Sequence, residues 1–433
     1  MQKFSLLLPF LVLITSVSHA GDIDFSGYFR APFGANLQGG KQIQLINPGT
    51  AGNEFRLGNE VGYGELNFLG HVVKVKPETG DLRMDAIFTF AIFPGLNTQY
   101  GDATGGNGSS QIVQAFLEGQ FDSSMEFWAG KRFYRWGYVV MDDFFYFADM
   151  SGNGVGLDKI KTSFGELAIA LLQFTDTTIT GSTGNPAKDA LDLRLKKIDL
   201  NATNNLDLWL TYAISGAGNG VNSSNVAVAY AESTGGALGL RWNHIFPRAT
   251  NEASIQIGNG VMESLNLAAD AAATSSASIS GYRVRLVDTL DTPIDSVWAI
   301  RSGLIADVLN YNSSTQVQKR WNSIGLRPSY QWSDHLQFLL DAGYSTITDD
   351  TDGLGAKTLT RFTFGPQWGV GKGLTANPVV RATVSTTFWN GANGTLNTTS
   401  SLVGAYNAAN SGATVLNGKT QLTQLGVEAE MSF

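Results

Sequence analysis

Apolar and polar residues alternate with a period of two along most of the chain. In the last segment, Leu425–Phe433, leucine, valine, alanine, methionine and phenylalanine fall on one face and mostly polar residues on the other. The alternation recurs in Leu191–Leu195, Leu206–Ile214 and Ala253–Ile257. This is the period of a β-strand, and the two faces suit a strand between lipid and a wet lumen. A water-soluble sandwich has the same pattern, so alternation alone leaves both folds open.

The connections between the strands separate the two folds. Short turns join some strand pairs, namely Asp122–Ser124, Asn201–Asn205, Pro247–Asn251 and Ser333–His335. Long segments rich in glycine, serine, threonine and asparagine join others, roughly 98–111, 175–189, 216–236, 262–280 and 390–420. This asymmetry is typical of outer-membrane barrels. It predicts an all-β fold, a transmembrane antiparallel up-and-down β-barrel of roughly sixteen to eighteen strands, with weak alternation around 281–310 limiting the count.

The amino-terminal residues 1–20 have the pattern of a secretory signal, with Lys3, an apolar run from Leu6 to Ile14 and small residues ending at Ala20. We expect residues 21–433 to form a single barrel domain. No later apolar run reaches the length of about eighteen residues that a spanning helix needs, so a membrane protein with this sequence must cross with strands.

Composition narrows the possible partners and cross-links. The 433 residues include no cysteine, so disulfides play no part in holding the fold. The formal charge of -8 argues against nucleic acid, which requires a basic surface. The same mild acidity predicts at most a weak preference for cations or neutral solutes inside a pore.

The first strand carries chemistry that suits a sugar. Asp24, Ser26, Tyr28 and Arg30 share its polar face, which should line the lumen. Sugars have apolar C–H faces that stack on aromatic rings and hydroxyls that need fixed donors and acceptors. The plainer interpretation is an aromatic residue at the membrane interface beside a solvated arginine. Further polar positions, which indicate a charged lumen ordinary for any porin, are Arg56, Tyr63, Glu65, Arg83 and Asp85.

The densest cluster of aromatic and charged residues lies at 129–147. Alternation stops after Tyr134, and the adjacent acids Asp142 and Asp143 would be costly on a strand that faces lipid. The segment is therefore predicted to fold inward as a constriction loop, in which rings narrow the pore and charges replace water. An extracellular loop packed against itself is the alternative. The side chains assigned to the constriction are Arg132, Arg135, Trp136, Asp142, Asp143, Phe145 and Tyr146.

Motifs spread along the mature chain resemble the maltoporins, the carbohydrate-selective outer-membrane porins. The most specific is Trp128–Tyr134, followed by Met141–Tyr146 and Ser151–Gly156. Other matching motifs, in the family's order, are Asp24–Arg30, Phe55–Glu60, Tyr63–Leu66, Asp192–Leu195, Gly325–Trp332 and Asn377–Arg381. The resemblance implies a barrel of about eighteen strands, a homotrimer, and passive diffusion of maltose and maltodextrins along a lane of aromatic rings.

The resemblance also implies roles for individual residues. Tyr28 and Tyr63 match the aromatic lane, and Tyr100 lies near an aromatic that the neighbouring subunit lends. The polar tracks beside the lane match Arg30, Arg56 and Glu65. In the predicted constriction loop the family's acid matches Asp143, and its constriction tyrosine falls on Phe145, with Tyr146 next to it.

The chain departs from the maltoporin pattern mainly in the later half of the lane. Trp136 stands where an arginine is expected, although Arg135 is adjacent. Aromatic positions of the family align with Ser432 and fall near Thr375 and Gly239. The lane is therefore thinned, which leaves room for a disaccharide or another oligosaccharide in place of long maltodextrins.

Two other functions remain open at this stage. A general diffusion porin without a saturable sugar site would share the barrel and the charged lumen. A barrel enzyme needs a histidine-centred cluster, but His71, His244 and His335 lie beside no catalytic or metal-ligand motif. We expect no catalytic residue, metal or cofactor. The expected partners are an oligosaccharide solute, lipid of the Gram-negative outer membrane and further copies of the chain.

Overall fold

The computed structural model describes residues 22–37, 42–47, 49–60, 62–75, 82–93, 109–121, 125–175, 187–221, 225–268, 279–311, 318–390 and 420–433. The expected signal segment, Tyr100 and the turn at 122–124 lie outside these residues. No helix in the described ranges is both long and apolar enough to cross a membrane.

Eighteen strands of the described chain form one antiparallel sheet that closes into a barrel. Each strand pairs with the next strand of the sheet along the chain. The first and last strands close the barrel by pairing from Tyr28 opposite Ser432 to Asn36 opposite Gln424. Closure satisfies backbone groups that a sheet edge would leave unpaired. The predicted fold class is confirmed.

In chain order the strands are β1 Ile23–Asn36, β2 Tyr63–Val75, β3 Leu82–Phe93, β4 Ser109–Phe121, β5 Met125–Arg132, β6 Trp136–Val139, β7 Phe144–Phe147, β8 Gly152–Lys161, β9 Glu166–Thr175, β10 Ala187–Asn201, β11 Asn204–Ser215, β12 Gly218–Val221, β13 Ala227–Tyr230, β14 Ser233–Phe246, β15 Ala249–Asn259, β16 Tyr282–Pro293, β17 Trp298–Asn310, β18 Gln318–Gln331, β19 Leu336–Asp349, β20 Lys357–Gly369, β21 Val379–Trp389 and β22 Gln421–Ser432. Two separate hairpins, β6–β7 and β12–β13, stand outside the barrel sheet. Short 3-10 turns occur at Val140–Asp142, Gly260–Met262 and Gly373–Thr375.

The barrel strands alternate between an outward apolar face and an inward polar face, as the sequence predicts. On β22, Leu425 and Val427 are exposed on the outer face, whereas Gln424 and Glu428 are buried on the inner face. The exposed face is the one that meets lipid in a membrane barrel. The lumen therefore receives the polar positions of each strand.

The two ends of the barrel differ in their connections. Short turns at 162–165, 202–203, 247–248, 294–297 and 332–335 lie at the end where β1 begins and β22 ends. The connections that contain residues 42–60, 133–151 and 260–268 lie at the other end. We call these the short-turn end and the long-loop end; in outer-membrane barrels they face the periplasm and the exterior.

Two parts of the chain differ from the expectation. Residues 281–310, where alternation is weak, contain two full strands, β16 and β17. Arg56, predicted with Tyr63 and Glu65 as a polar position of the lumen, lies with the rest of Arg56–Glu60 in turns between β1 and β2 and not on a strand. Phe55 and Gly58 have φ angles of 50° and 68°, left-handed conformations that a strand does not accommodate.

Two segments fold from the long-loop end into the barrel. We call 42–60 the inward loop and 133–151, which includes β6 and β7, the inward hairpin. The inward loop packs Ile43, Leu45 and Phe55 on the wall residues Leu359, Trp389 and Leu422. Parts of the inner wall are therefore apolar, and the inward loop packs against them.

Candidate functional site

One buried arginine fixes the inward hairpin to the wall. Arg194, on β10, donates to the carbonyls of Tyr134 and Ala148, each at 3.1 Å. Its Nε donates to Asp192 at 2.5 Å, and Asp192 accepts a second bond from Trp209 Nε1 at 2.6 Å. Because the two carbonyls lie near the two ends of the hairpin, one guanidinium ties both ends to β10.

Glycines on the wall leave room for apolar side chains of the hairpin. A Cβ added at Gly239 would lie 2.9 Å from the Phe147 ring, and one at Gly325 would lie 2.9 Å from the Met141 methyl carbon. The Phe147 ring also lies beside Trp209, with centroids 6.1 Å apart. The maltoporin pattern places a wall phenylalanine near Gly239. Here the hairpin itself brings an aromatic ring to that place.

The inward loop and the inward hairpin bind each other. The Asn53 N–H donates to the Asp142 carbonyl at 2.6 Å, and the Phe55 N–H donates to the Asp142 carboxyl group at 3.3 Å. Phe55 and Asp143 have left-handed φ angles of 50° and 45°. Such conformations persist where surrounding contacts hold them, and they cluster at functional sites.

Four aromatic rings meet where β1 and β2 face the inward hairpin. The rings of Tyr28 and Tyr63 have centroids 6.0 Å apart, and those of Tyr138 and Phe145 have centroids 4.6 Å apart. Arg56 joins the two pairs, because it donates to the Tyr28 hydroxyl at 3.4 Å and to the Tyr138 hydroxyl at 3.1 Å. We call these four rings the ring array.

Ion pairs border the ring array. Arg30 pairs with Glu60 at 3.3 Å and with Asp143 at 3.1 Å. Arg56 also pairs with Glu60, and with Glu430 at 2.7 Å. Burial opposes ionisation of Asp143, but Arg56 and Arg30 outweigh it and hold its pKa below the ordinary value. The site thus offers fixed charges of both signs, which can donate to and accept from hydroxyl groups.

Further polar groups complete this border. The Tyr28 hydroxyl donates to Glu430 at 2.7 Å, and Arg381 pairs with Glu430 at 2.5 Å. The Tyr63 hydroxyl donates to Glu65. No group of three or more histidine, aspartate or glutamate side chains in the described residues is arranged to hold a metal ion.

Most of the residues predicted for the site lie together. The Arg135 guanidinium stands over the Phe145 ring at 3.6 Å from its centroid. The members that meet at the ring array are Tyr28, Tyr63, Arg30, Arg56, Glu65, Arg135, Asp143 and Phe145.

The structure places the other predicted constriction residues elsewhere. Arg132 lies on the wall strand β5 and pairs with Asp158 on β8 at 3.2 Å. Asp142 is buried against the inward loop. Tyr146 is buried, and Trp136 stacks on Phe147 near β10 and β14. These side chains support the hairpin or face another cavity.

Sequence analysis missed four members of the site: Tyr138, Glu60, Glu430 and Arg381. Glu430 lies on the inward face of β22, and the strand pairing of a closed barrel brings β22 beside β1. Barrel closure therefore makes the position of Glu430 beside β1 predictable from the sequence. Glu60 lies in an irregular segment and Tyr138 in the short hairpin strand β6 outside the barrel sheet, so the alternation of the barrel strands does not specify the direction of either side chain.

A polar recess lies next to the ring array at the short-turn end. It encloses about 230 Å³ and is lined by Thr375 and Ser432 together with Arg301, Arg327 and Arg381. The three arginines pair with carboxylates, respectively Asp291 at 2.7 Å, Asp341 at 2.6 Å and Glu428. Thr375 and Ser432, where the maltoporin pattern has aromatic residues of the later lane, therefore border a polar space.

Two buried acids lie where the inward loop meets the inward hairpin. Glu54 accepts from the Asn47 N–H at 2.9 Å and from Trp321 Nε1 at 3.1 Å. Burial raises the pKa of Glu54 to about 7. Burial, and then repulsion from Glu54, raises the pKa of Asp142 to about 8.

These raised pKa values predict a pH dependence of stability. Both acids bind protons more tightly in the folded protein than in the unfolded chain, so protonation stabilises the fold. The free energy of unfolding should therefore fall as the pH rises from about 5 to about 9, measured as denaturant midpoints in detergent micelles. The Glu54→Gln/Asp142→Asn double variant should flatten this slope. Asp143→Asn is the control, because Asp143 is ionised throughout; an unchanged slope in the double variant contradicts the expectation.

Comparison with known proteins gives one family match and several distant structures. The family model of the LamB porins matches residues 23–433. OpdK of Pseudomonas aeruginosa with vanillate is 11% identical, with 96% of this chain and 100% of that chain covered and a TM-score of 0.46. OccAB2 of Acinetobacter baumannii is 10% identical, with 95% and 98% covered and a TM-score of 0.47. OmpT of Vibrio cholerae, folded in vitro in trimer form, is 10% identical, with 96% and 100% covered and a TM-score of 0.41. These structural likenesses are too distant to bear on the solute.

Proposed function

The chain belongs to the LamB porin family, and from this premise we propose that it is a sugar-selective channel for maltose, maltodextrins or related oligosaccharides. Its family and its barrel make it a porin of the Gram-negative outer membrane. Passage is passive, by facilitated diffusion. The family favours a channel over an enzyme, and the proposal includes no catalytic step.

The ring array carries the proposal. A sugar can place its apolar C–H face on Tyr28, Tyr63 or Phe145 while its hydroxyls exchange hydrogen bonds with Arg30, Asp143 and the other border groups. Because Arg30, Asp143 and Glu430 already have partners of opposite sign, the border suits a neutral polar solute more than a free ion.

The polar recess is evidence that the preferred solute is a short saccharide. Thr375 and Ser432 replace rings in the later lane, so fewer aromatic faces follow the ring array toward the short-turn end. Phe145 keeps the bulk of the family's tyrosine without its hydroxyl. We therefore expect maltose, maltotriose or another short saccharide to gain as much from the channel as a long maltodextrin.

The assembly and processing of the chain are part of the same proposal. The resemblance to maltoporins supports a homotrimer, in which Tyr100 of one copy reaches the pore of its neighbour. The signal pattern supports cleavage after Ala20, with residues 21–433 as one barrel domain. Light scattering of the detergent-solubilised protein and amino-terminal sequencing test these two points.

Liposome swelling tests the proposed selectivity. A general diffusion porin sorts neutral solutes by size, so triglycine should enter faster than the larger maltose. A sugar-selective porin should reverse this order, so that maltose enters faster than triglycine. It should also distinguish the two disaccharides maltose and sucrose, which a porin that sorts by size cannot. If triglycine enters faster than every sugar tested, the general diffusion alternative stands and the proposal fails.

A further inference from the structure

A second cavity lies at the short-turn end, beside the inward hairpin. It encloses about 710 Å³ between Trp136 and the walls formed by β4, β5, β8, β9, β10, β11, β14 and β15. None of the four rings of the ring array lines it. A solute that has passed the ring array would meet this cavity before it leaves the barrel.

The indole of Trp136 is the aromatic surface of this cavity. It is stacked on Phe147 with an interplanar angle of 15° and centroids 6.1 Å apart. Cations stand over this ring: Lys196 Nζ lies 4.2 Å from the ring centroid, and the guanidinium carbons of Arg194 and Arg241 lie at 4.6 Å and 5.8 Å. Three cations this close together attract a negatively charged group to the aromatic ring.

Lys196 is the cation of this group that is available to a ligand. Arg194 is committed to Asp192 and to two hairpin carbonyls, and Arg241 pairs with Asp207 at 2.7 Å. Lys196 forms no ion pair in the described part of the chain, and its ammonium contacts the Trp136 ring. A contact of an ammonium with a ring face is weaker than its charge-assisted hydrogen bond to a carboxylate.

The other lysine and arginine side chains that line the cavity are already paired, with Arg132 on Asp158, Lys197 on Glu166 and Lys159 on Glu126. Glu118, on β4, is the other lining charge without an ion pair among the described residues, and it interacts with Glu126 and Arg132. The cavity thus has an available ammonium beside an indole and an available carboxyl group on another wall.

We propose that this cavity is a second solute site, specific for a saccharide that carries a carboxylate. The acid group binds the Lys196 ammonium in place of its contact with the Trp136 ring, the sugar ring lies against the Trp136 indole, and a hydroxyl reaches Glu118. The inference rests on the proposed function, because a sugar must first pass the ring array. It adds a preference among sugars that the neutral ring array does not supply.

The test compares maltose with maltobionate, the same disaccharide with its reducing end oxidised to a carboxylate. Both block constants are measured on single channels of the full mature protein in planar bilayers. The wild type should bind maltobionate more tightly than maltose, and Lys196→Gln should lower the ratio of the two affinities about tenfold, the usual worth of one charge-assisted bond. Lys197→Gln is the matched control, because Lys197 pairs with Glu166 at 2.9 Å and its side chain is 67% exposed.

The outcomes separate this inference from the proposed function. If both sugars block the wild type but Lys196→Gln leaves the ratio unchanged, or Lys197→Gln lowers it equally, the second site is wrong and the sugar channel stands. If neither sugar blocks the wild type, the proposed function fails first. Lys196→Arg keeps the positive charge and should keep the ratio of the two affinities. A lower ratio in this variant would also contradict the proposal that the charge of Lys196 binds the carboxylate.

Discussion

Replacing Tyr28 by alanine should weaken the block of channel current by maltotriose about ten- to a hundredfold. The substitution removes a ring 6.0 Å from Tyr63 and the hydroxyl that donates to Glu430 at 2.7 Å. Stacking and a hydrogen bond to a charged group are each worth about 1 kcal/mol or more, which gives this range. The measurement is the block constant from single-channel recordings.

Tyr28→Phe is the control for this prediction. It keeps the ring and removes only the bond to Glu430, which retains Arg56 and Arg381 as partners. The block constant should change by about threefold or less, since one hydrogen bond contributes modestly. If Tyr28→Ala and Tyr28→Phe weaken the block by maltotriose equally, the Tyr28 ring does not bind sugar. If neither variant weakens the block, Tyr28 is not part of the site.

Replacing Arg194 by methionine should destabilise the protein by about 3–5 kcal/mol and free the inward hairpin. The variant leaves Asp192 buried without its ion-pair partner and removes the two bonds to the Tyr134 and Ala148 carbonyls. Denaturant unfolding measures the first effect. Single-channel conductance measures the second, and it should rise because the hairpin no longer holds its place in the lumen.

A second substitution separates the two effects. Adding Asp192→Asn to Arg194→Met removes the unpaired buried charge, so much of the lost stability should return. The carbonyl bonds remain absent, so the conductance should stay high. If the conductance of the single variant equals that of the wild type, Arg194 does not hold the hairpin; if stability and conductance recover together, the hairpin responds only to the buried charge.

Most of the barrel follows from local sequence. The alternation in Leu425–Phe433 predicts both faces of β22, because a period of two fixes which side chains meet lipid. The short turns near 202, 247 and 333 follow from the residues between alternating segments. Local sequence does not delimit the strands at 282–310, because their alternation is weak and sheet pairing on both sides stabilises them.

The inward segments follow less from sequence, because distant contacts position them. Arg56 meets Glu430 across 374 residues of chain, a contact that exists only when β22 closes against β1. The Phe147 ring fits above Gly239 because a wall side chain is missing there. Alternation predicts neither of these two contacts. The composition of 129–147, in contrast, does predict an inward position for that segment.

The measurement that tests the sugar channel most directly is the current of single wild-type channels, titrated with maltose, maltotriose, maltohexaose and sucrose. The ring array predicts saturable block by at least one short saccharide, with little gain from maltotriose to maltohexaose because Thr375 and Ser432 replace lane aromatics. Saturable block by sucrose alone would change the sugar and keep the mechanism. High conductance without block by any of the four sugars would contradict the selective channel and leave a general diffusion porin.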